Sequence, residues 1–377
     1  MDAFTTPSNW QKVRLGDICE IVKGQQINKI SLNNTDKYPV INGGIDFLGY
    51  TNKFNVSKNT IAISEGGTCG YVRFMTSDFW SGGHNYSLQK ISNKVNNLCL
   101  YHILKSYEKD IMKLGVGSGL KNIQLKALKD FEILLPPLNE HAAIANVLSG
   151  LDHYLYSLDA LILKKEGVKK ALSFELLSQR KRLKGFNQNW QRVRLGDIGK
   201  PCMCKRVMKH QTTPYGEIPF YKIGTFGNTA DAFISKKLFL EYKAKYSFPK
   251  KGDILISASG TIGRAVIYDG KPAYFQDSNI VWIDNNETLV KNDFLFYAYS
   301  NIKWNTEHTT ILRLYNDNFR NTLIPLPPLN EQIAIANILS DLDHEIISLK
   351  NKKRQFENIK KALNHDLMSA KIRVLKE

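Results

Sequence analysis

One segment of this chain occurs twice. Pro136-Pro137-Leu138-Asn139-Glu140 returns as Pro327-Pro328-Leu329-Asn330-Glu331, 191 residues on. The register then holds without a gap from Ile144-Ala-Asn-Val-Leu-Ser-Gly-Leu-Asp-His153 to Ile335-Ala-Asn-Ile-Leu-Ser-Asp-Leu-Asp-His344. Apolar residues fall at Ile144, Leu148, Leu151, Leu155, Leu158 and Ile162, and at Ile335, Leu339, Leu342, Ile346 and Leu349, in alternating steps of four and three. That rhythm is a coiled-coil seam. A Pro-Pro pair cannot lie inside a helix, whereas the Asn-Glu after it offers a capping side chain and a carboxylate near the positive end of the dipole, so each helix is expected to start there. A second matched block, Val168-Lys-Lys-Ala-Leu172 against Ile359-Lys-Lys-Ala-Leu363, carries each helix to about 40 residues, roughly 60 Å at about 1.5 Å per residue. Neither seam can bury itself alone. The two helices are therefore expected to pack against each other and to separate two globular units.

The repeat covers whole modules. Trp10-Gln-Lys-Val-Arg-Leu-Gly-Asp-Ile18 opens the first and Trp190-Gln-Arg-Val-Arg-Leu-Gly-Asp-Ile198 the second. Between opener and helix the modules diverge, yet they share punctuation: Pro39 with Gly44 against Pro219 with Gly224, and Ser64-Glu-Gly-Gly-Thr-Cys-Gly70 against Ser257-Ala-Ser-Gly-Thr-Ile-Gly263. Short strands are expected at 60–64 and 253–257, at 71–74 and 264–268, and at 86–89 and 280–283, forming a mixed or mainly antiparallel sheet. An amphipathic helix over 97–114 and 291–301 should follow, then a strand at 131–135 and 322–326 leading into Pro-Pro. Each unit is read as α+β. The polar stretch from Leu183 to Trp190 is the expected linker.

Composition narrows the class. The 377 residues, 43% of them hydrophobic, give room for two or three domains with real cores. No run approaches the roughly 18 apolar residues of a spanning helix, and Met1-Asp2-Ala3-Phe4 has no signal pattern, so no membrane association and a cytoplasmic location are the expectations. Five cysteines, Cys19, Cys69, Cys99, Cys202 and Cys204, are scattered without the C-x2-C spacing of a zinc site and read as reduced thiols. The formal net charge of +17 points to a polyanionic partner.

Several local patterns look chemical and fall short. Asp152-His153 and Asp343-His344 sit beside the seam with no third ligand in view, and are read as helix-surface or subunit contacts. Gly115-Val-Gly-Ser-Gly119 resembles a phosphate loop without the Lys-Ser/Thr that a P-loop needs, and no Gly-x-Gly-x-x-Gly follows a strand. No metal, nucleotide or catalytic site is readable.

Base readout needs Arg, Lys, Asn, Gln, acidic or hydroxyl groups on exposed loops. In the first unit Asn42, Ser64, Glu65, Thr68, Arg73, His84, Asn85, Lys121 and Asn122 supply them, within loops that include Ser118 to Gln124. In the second they come from Lys222, Ser257, Ser259, Thr261, Arg264, Gln276, Asp277, Asn279, Arg313 and Arg320. Gly67-Thr68 and Gly260-Thr261 read equally well as tight turns between strands. A compromise is that glycines shape the turn while flanking side chains read bases. Phe79-Trp80 and Tyr274-Phe275 belong more naturally to the sheet core than to base stacking.

Two divergent modules, each opened by Trp-x-x-Val-x-Leu-Gly-Asp-Ile and closed by a Pro-Pro-Leu-x-Glu-x-x-x-Ile-Ala helix, resemble the specificity subunit of type I restriction-modification systems along essentially the whole chain. No clean counterpart of the Lys184-Gly185-Phe186 approach to Trp190 precedes Trp10. The resemblance implies two target recognition domains, at 1–138 and 184–329, and two spacer helices, at 139–183 and 330–377. It implies a pseudo-twofold α+β architecture with antiparallel coiled-coil helices, and a double-stranded, bipartite, asymmetric DNA target. Two methylation subunits and two restriction subunits would assemble on this scaffold, and S-adenosylmethionine, ATP and Mg would be held by those partners. The Asn-Pro-Pro-aromatic motif of adenine methyltransferases is missing, so this chain is expected to be non-catalytic. A coiled-coil scaffold with protein-binding heads and a stand-alone DNA-modifying enzyme are the competing classes.

Overall fold

The computed structural model describes residues 9–308, 312–369 and 371–374; the signal-peptide question, on Met1 to Phe4, lies outside them. The chain divides into two compact units, Met1–Ala160 with Lys350–Glu377, and Leu161–Leu349. Each holds one head, the first half of the helix leaving that head and the second half of the other long helix.

The first unit is built on a four-stranded antiparallel sheet in the order Glu20–Lys23, Asn85–Gln89, Thr60–Ser64, Val72–Met75. A three-stranded sheet lies beside it, Gly49–Thr51, Tyr38–Ile41 and Trp80–Ser81, the last pair parallel. The opening strand Gln11–Arg14 pairs antiparallel with Glu132–Leu135, Gln11 opposite Leu135. This explains why opener and closer are both kept in the repeat: they are hydrogen-bonded to each other and close the module. Ile61, Ile63, Val72 and Leu88 turn in from the sheet to meet Ile103 and Leu104 of the helix Asn97–Ser106. The helix expected over 97–114 is two. Tyr107 interrupts it, and a second helix Glu108–Lys113 follows, whose first carboxylate accepts the backbone N–H of Val72 at 2.8 Å and is also held by Lys105. Phe79 is fully buried as expected for core, while Trp80 is half-buried with its indole N–H on the Gln25 carbonyl at 2.9 Å.

The second unit repeats this frame. Its four-stranded sheet runs Gly199–Met203, Ile280–Asn285, Ile254–Ser257, Ala265–Ile267, and its three-stranded sheet runs Phe233–Ile234, Ile218–Tyr221, Tyr274–Phe275. Gln191–Arg194 pairs with Leu323–Leu326. The covering helix is Asn292–Tyr299, and Tyr274 and Phe275 are core. One element has no counterpart in the first unit: the helix Lys236–Lys245, inserted where the first head spends only residues 52–59 between strands.

The long helices run Leu138–Leu177 and Leu329–Met368. Both start one residue before the expected cap, so Asn139 and Asn330 lie in the first turn. Glu140 and Glu331 do more than face a dipole. Glu140 is fully buried and accepts from Nε and Nη2 of Arg373; Glu331, equally buried, takes Arg182 at 2.7 and 3.2 Å and the Trp190 indole at 3.0 Å.

The seam has two characters. Ile144 and Leu148 in the first unit, and Ile335 and Leu339 in the second, are buried within the head cores, so the start of each helix is a wall of its head. Each such side chain contributes about 1.5–3 kcal/mol, which fixes helix to head. Farther along, Leu158 and Ile346 are buried while Leu151, Leu155, Leu342 and Leu349 are half-buried. Here charged pairs share the seam. In the first unit Lys360 meets Asp152 and Lys353 meets Asp159 at 2.7 Å; in the second, Lys169 meets Asp343 and Lys165 meets Glu345 at 2.8 Å. Partner numbers rise as the others fall, so within each unit the helical segments are antiparallel. Asp152 and Asp343 are thus seam partners of lysine, while His153 and His344 are exposed on the helix surface.

Candidate nucleic-acid interface

In the first unit the ladder places Ser64 opposite Asn85, so the loop leaving one strand and the loop approaching the next lie at the same end of the sheet. Two further loops join them. The N–H of Thr68 donates to the Gly43 carbonyl at 2.8 Å and that of Gly82 to the Ile41 carbonyl at 2.8 Å, bringing in the loop that begins at Asn42. The N–H of Ile123 donates to the Glu65 carbonyl at 2.9 Å, bringing in Lys121 and Asn122.

Glycine is required where these loops touch. Gly43 has φ +80° and a Cβ there would lie 2.4 Å from the Gly66 carbonyl oxygen; Gly67 has φ +72° and faces Gly43 in turn at 2.9 Å. Gly67 thus has a backbone that glycine suits, and it seats one loop on the next.

The second unit repeats four of the first unit's backbone bonds with other side chains. The N–H of Gly263 donates to Ser257 as Gly70 does to Ser64, Ala258 donates to Asn279 as Glu65 does to His84, Gln276 to Tyr221 as Gly82 to Ile41, and Leu314 to Ala258 as Ile123 to Glu65. Four loops converge in each head on one backbone plan.

The candidates sort by burial. Ser64, Asn85, Ser257 and Ser259 are buried under the loops and support them: Ser257 Oγ accepts from the Arg264 N–H at 3.0 Å and donates to the Thr261 carbonyl, and Ser259 donates to Asn279 Oδ1 at 2.7 Å. Asn42 is half-buried, its Oδ1 accepting the His84 N–H at 3.0 Å. Glu65 is buried at the centre of the first cluster, taking Lys23 at 2.6 Å and Tyr86 Oη at 3.3 Å, with His84 Nδ1 at 3.8 Å. Burial, with Glu65 beside it, pushes the Tyr86 phenol up to about 12. His84, Lys121 and Asn122 are exposed at the rim and Thr68 is half-exposed there.

Arg73 stands apart on the neighbouring strand, its guanidinium stacked between Phe47 at 5.0 Å and Tyr71 at 5.4 Å. In the second cluster Gln276 holds the Ile223 N–H at 3.0 Å, Asp277 holds Arg206 at 2.9 Å, and Asn279 Oδ1 also accepts from Arg313 at 3.4 Å. Arg264 reaches the Phe226 carbonyl at 2.9 Å, Lys222 pairs with Asp231 at 2.8 Å, and Thr261 is exposed at the turn.

Arg320 does not join them. It packs against Gly196, just before the strand whose Gly199 pairs with Asn285, the far end of Ile280–Asn285 from Ser257. Along that strand the separation is roughly 17 Å at about 3.3 Å per residue.

Three cluster residues lacked a signal of their own. Lys23 reaches Glu65 only through the strand register that sets it opposite Tyr86. Gln26 lies where a Cβ on Gly83 would strike its amide, at 2.4 Å, and Arg206 is tied to the loops by Asp277. Only the polar run Lys23-Gly-Gln-Gln26 after a strand hinted at the first two.

Two homologous α+β heads, each presenting polar loops on a shared backbone plan, and each walled by a long helix, define a duplicated recognition subunit. The family described as type I restriction modification DNA specificity domain matches residues 7–165 and 187–358, and the chain belongs to it. A Haemophilus influenzae protein named as a type I restriction enzyme specificity subunit is 39% identical over 80% of this chain and 81% of its own length. The MjaVIII specificity subunit of Methanocaldococcus jannaschii is 25% identical over 99% of this chain and 95% of its own. Among solved structures, the S subunit of a type I restriction-modification system from Mycoplasma genitalium has the same fold, with TM-score 0.69, 23% identity and 96% of both chains covered. Among the described residues no helix is long and apolar enough to cross a membrane.

Proposed function

We propose that this chain reads a bipartite, asymmetric sequence in double-stranded DNA, one part with each loop cluster, and directs methylation and restriction subunits to it. One observation carries the reading: the two clusters share four backbone hydrogen bonds and differ in the side chains displayed, as two readers of different half-sites must. His84, Lys121, Asn122 and half-exposed Thr68 are the readers of the first, and exposed Thr261 and Arg264 with half-exposed Lys222 and Arg313 those of the second. Buried Glu65, which has no acidic counterpart at Ala258, suits acceptance from a cytosine amino group.

In this reading the chain is non-catalytic and works in the cytoplasm, with two methylation and two restriction subunits around it. S-adenosylmethionine, ATP and Mg belong to those partners. The name carried by the Haemophilus influenzae relative supports the assignment. The test is to exchange residues 18–131 for those of another such subunit and sequence the methylome of cells carrying the chimera. One half-site should change and the other persist. A change in both would overturn the division of labour, and tight calorimetric binding of S-adenosylmethionine or ATP by the isolated chain would overturn the non-catalytic role.

A further inference from the structure

The second unit carries cations that the first lacks, at Lys205, Arg206, Lys236 and Lys237, while its Lys209 matches Lys29 of the first. In the first head the chain leaves its strand as Gln25-Gln26 and turns through a short 3-10 helix at Lys29–Ser31; in the second the matching segment is Lys205-Arg206 and Lys209–Gln211. Two amides are replaced by two cations. The inserted helix Lys236–Lys245 packs alongside. Its Phe239 is buried against Phe248 at 5.5 Å, Tyr242 accepts from Gln211 at 3.5 Å, and Tyr246 carries the Lys205 ammonium over its ring at 5.1 Å. Thr213 bridges to Phe233, the strand that leads into this helix, so segment and helix form one face. That face borders the loop cluster, since Arg206 donates to Asp277 and Met203 accepts from Ser278 at 3.7 Å.

Not all of this charge serves stability. Glu241 is the one acid in the helix and is taken by Lys245 at 3.1 Å. Lys243 and Lys245 suit the negative end of the helix dipole, but Lys236 and Lys237 occupy its first turn, against the dipole. All four of Lys205, Lys209, Lys236 and Lys237 are exposed, and among the described residues none is in an ion pair.

We propose that this face is a phosphate clamp: it holds the DNA backbone beside the half-site of the second unit and reads no bases. The proposal rests on the DNA-binding reading above and adds to it an inequality, that the second head supplies more of the salt-dependent affinity than the first.

The test measures binding of the full chain to a fluorescein-labelled duplex of 40 random base pairs, or about that length, across a series of NaCl concentrations. Each phosphate contact contributes about 0.9 to the slope of log K against log salt. Converting Lys205, Lys209, Lys236 and Lys237 to Gln should lower the slope by about two to four, and converting the same four to Arg should preserve it. Neutralising four helix-tail lysines, Lys164, Lys170, Lys352 and Lys361, controls for net charge and should change it little. If the fourfold Gln variant fails to fold by circular dichroism, Lys236→Gln with Lys237→Gln should still lower the slope, by about two. An unchanged slope, or an equal loss in the control, overturns the clamp and leaves DNA reading intact. Absence of duplex binding by the unaltered chain overturns both.

Discussion

His141 and Gln332 occupy the same position of the 191-residue repeat and make the same two hydrogen bonds. His141 Nε2 donates to the Pro136 carbonyl at 2.7 Å while Nδ1 accepts the Asn96 N–H at 3.4 Å; Gln332 Nε2 donates to Pro327 at 2.8 Å while Oε1 accepts the Lys291 N–H at 2.8 Å. Both side chains are fully buried. Each joins the Pro-Pro turn to the start of the covering helix of its head.

Only the neutral imidazole with its proton on Nε2 can do this. Burial lowers the His141 pKa, so folding favours that form. His141→Gln should keep both bonds and leave stability at neutral pH nearly unchanged. His141→Leu orphans a buried donor and acceptor and should cost about 2–4 kcal/mol. Urea unfolding of the two variants decides it; equal losses would show that shape, not hydrogen bonding, matters at this position.

The duplication, the helix starts, three of the four strands of each larger sheet and the core placement of Phe79 and Tyr274 were legible because each has a local signature: proline punctuation, alternation of apolar residues, or repetition; the edge strands Glu20–Lys23 and Gly199–Met203 were not. The three-stranded sheet was not, since Trp80–Ser81 offers two residues and pairs in parallel with a distant strand. The inserted helix Lys236–Lys245 was hidden because it buries only Phe239 among its ten residues. At the site, residue type found the loops but could not tell buried supports such as Ser64 and Asn85 from rim residues such as His84. That distinction depends on which strand end each loop occupies.

Glu331 is predicted to matter beyond its charge. Substituting Gln removes one charge-assisted partner of Arg182 and weakens the Trp190 indole bond inside a buried site. Because Arg182 keeps some solvent contact, the loss should be about 2 kcal/mol rather than the larger cost of a fully buried broken pair. The Trp190 indole proton resonance should shift in the same variant. In Glu140→Gln the Trp10 resonance should move less, since the Trp10 indole N–H has no hydrogen-bond partner among the described residues.

Neighbouring glycines separate backbone demand from mere smallness. Gly43→Ala forces a left-handed residue and a 2.4 Å contact with Gly66, whereas Gly44→Ala meets only the Asp46 carbonyl at 3.7 Å. The first should displace the Asn42 and Thr68 loops together and weaken recognition of one half-site at least tenfold in methylation assays; the second should be silent. Equal effects would mean that the loops do not depend on their mutual seating.

Acid should loosen the first unit through His102. This residue is buried, its Nε2 within 3.0 Å of Ser149 Oγ on the long helix, and burial lowers its pKa to about 4. The unfolded chain titrates near 6.5, so between those values the unfolded state binds the extra proton and stability falls as pH falls. Full loss of the linkage term amounts to about 3 kcal/mol at 1.36 kcal/mol per pKa unit. In the second unit the matching position is Tyr297, whose hydroxyl donates to Asp343 at 2.9 Å and whose pKa is raised, by burial first and then by that carboxylate. Tyrosine carries no titration in the acid range. His102→Tyr should therefore bring the second unit's arrangement to the first, with Asp152 in the place of Asp343, and should flatten the decline between pH 6.5 and 4. Urea midpoints across that range for the two proteins provide the measurement, and an undiminished decline in the variant would assign the acid sensitivity to other groups.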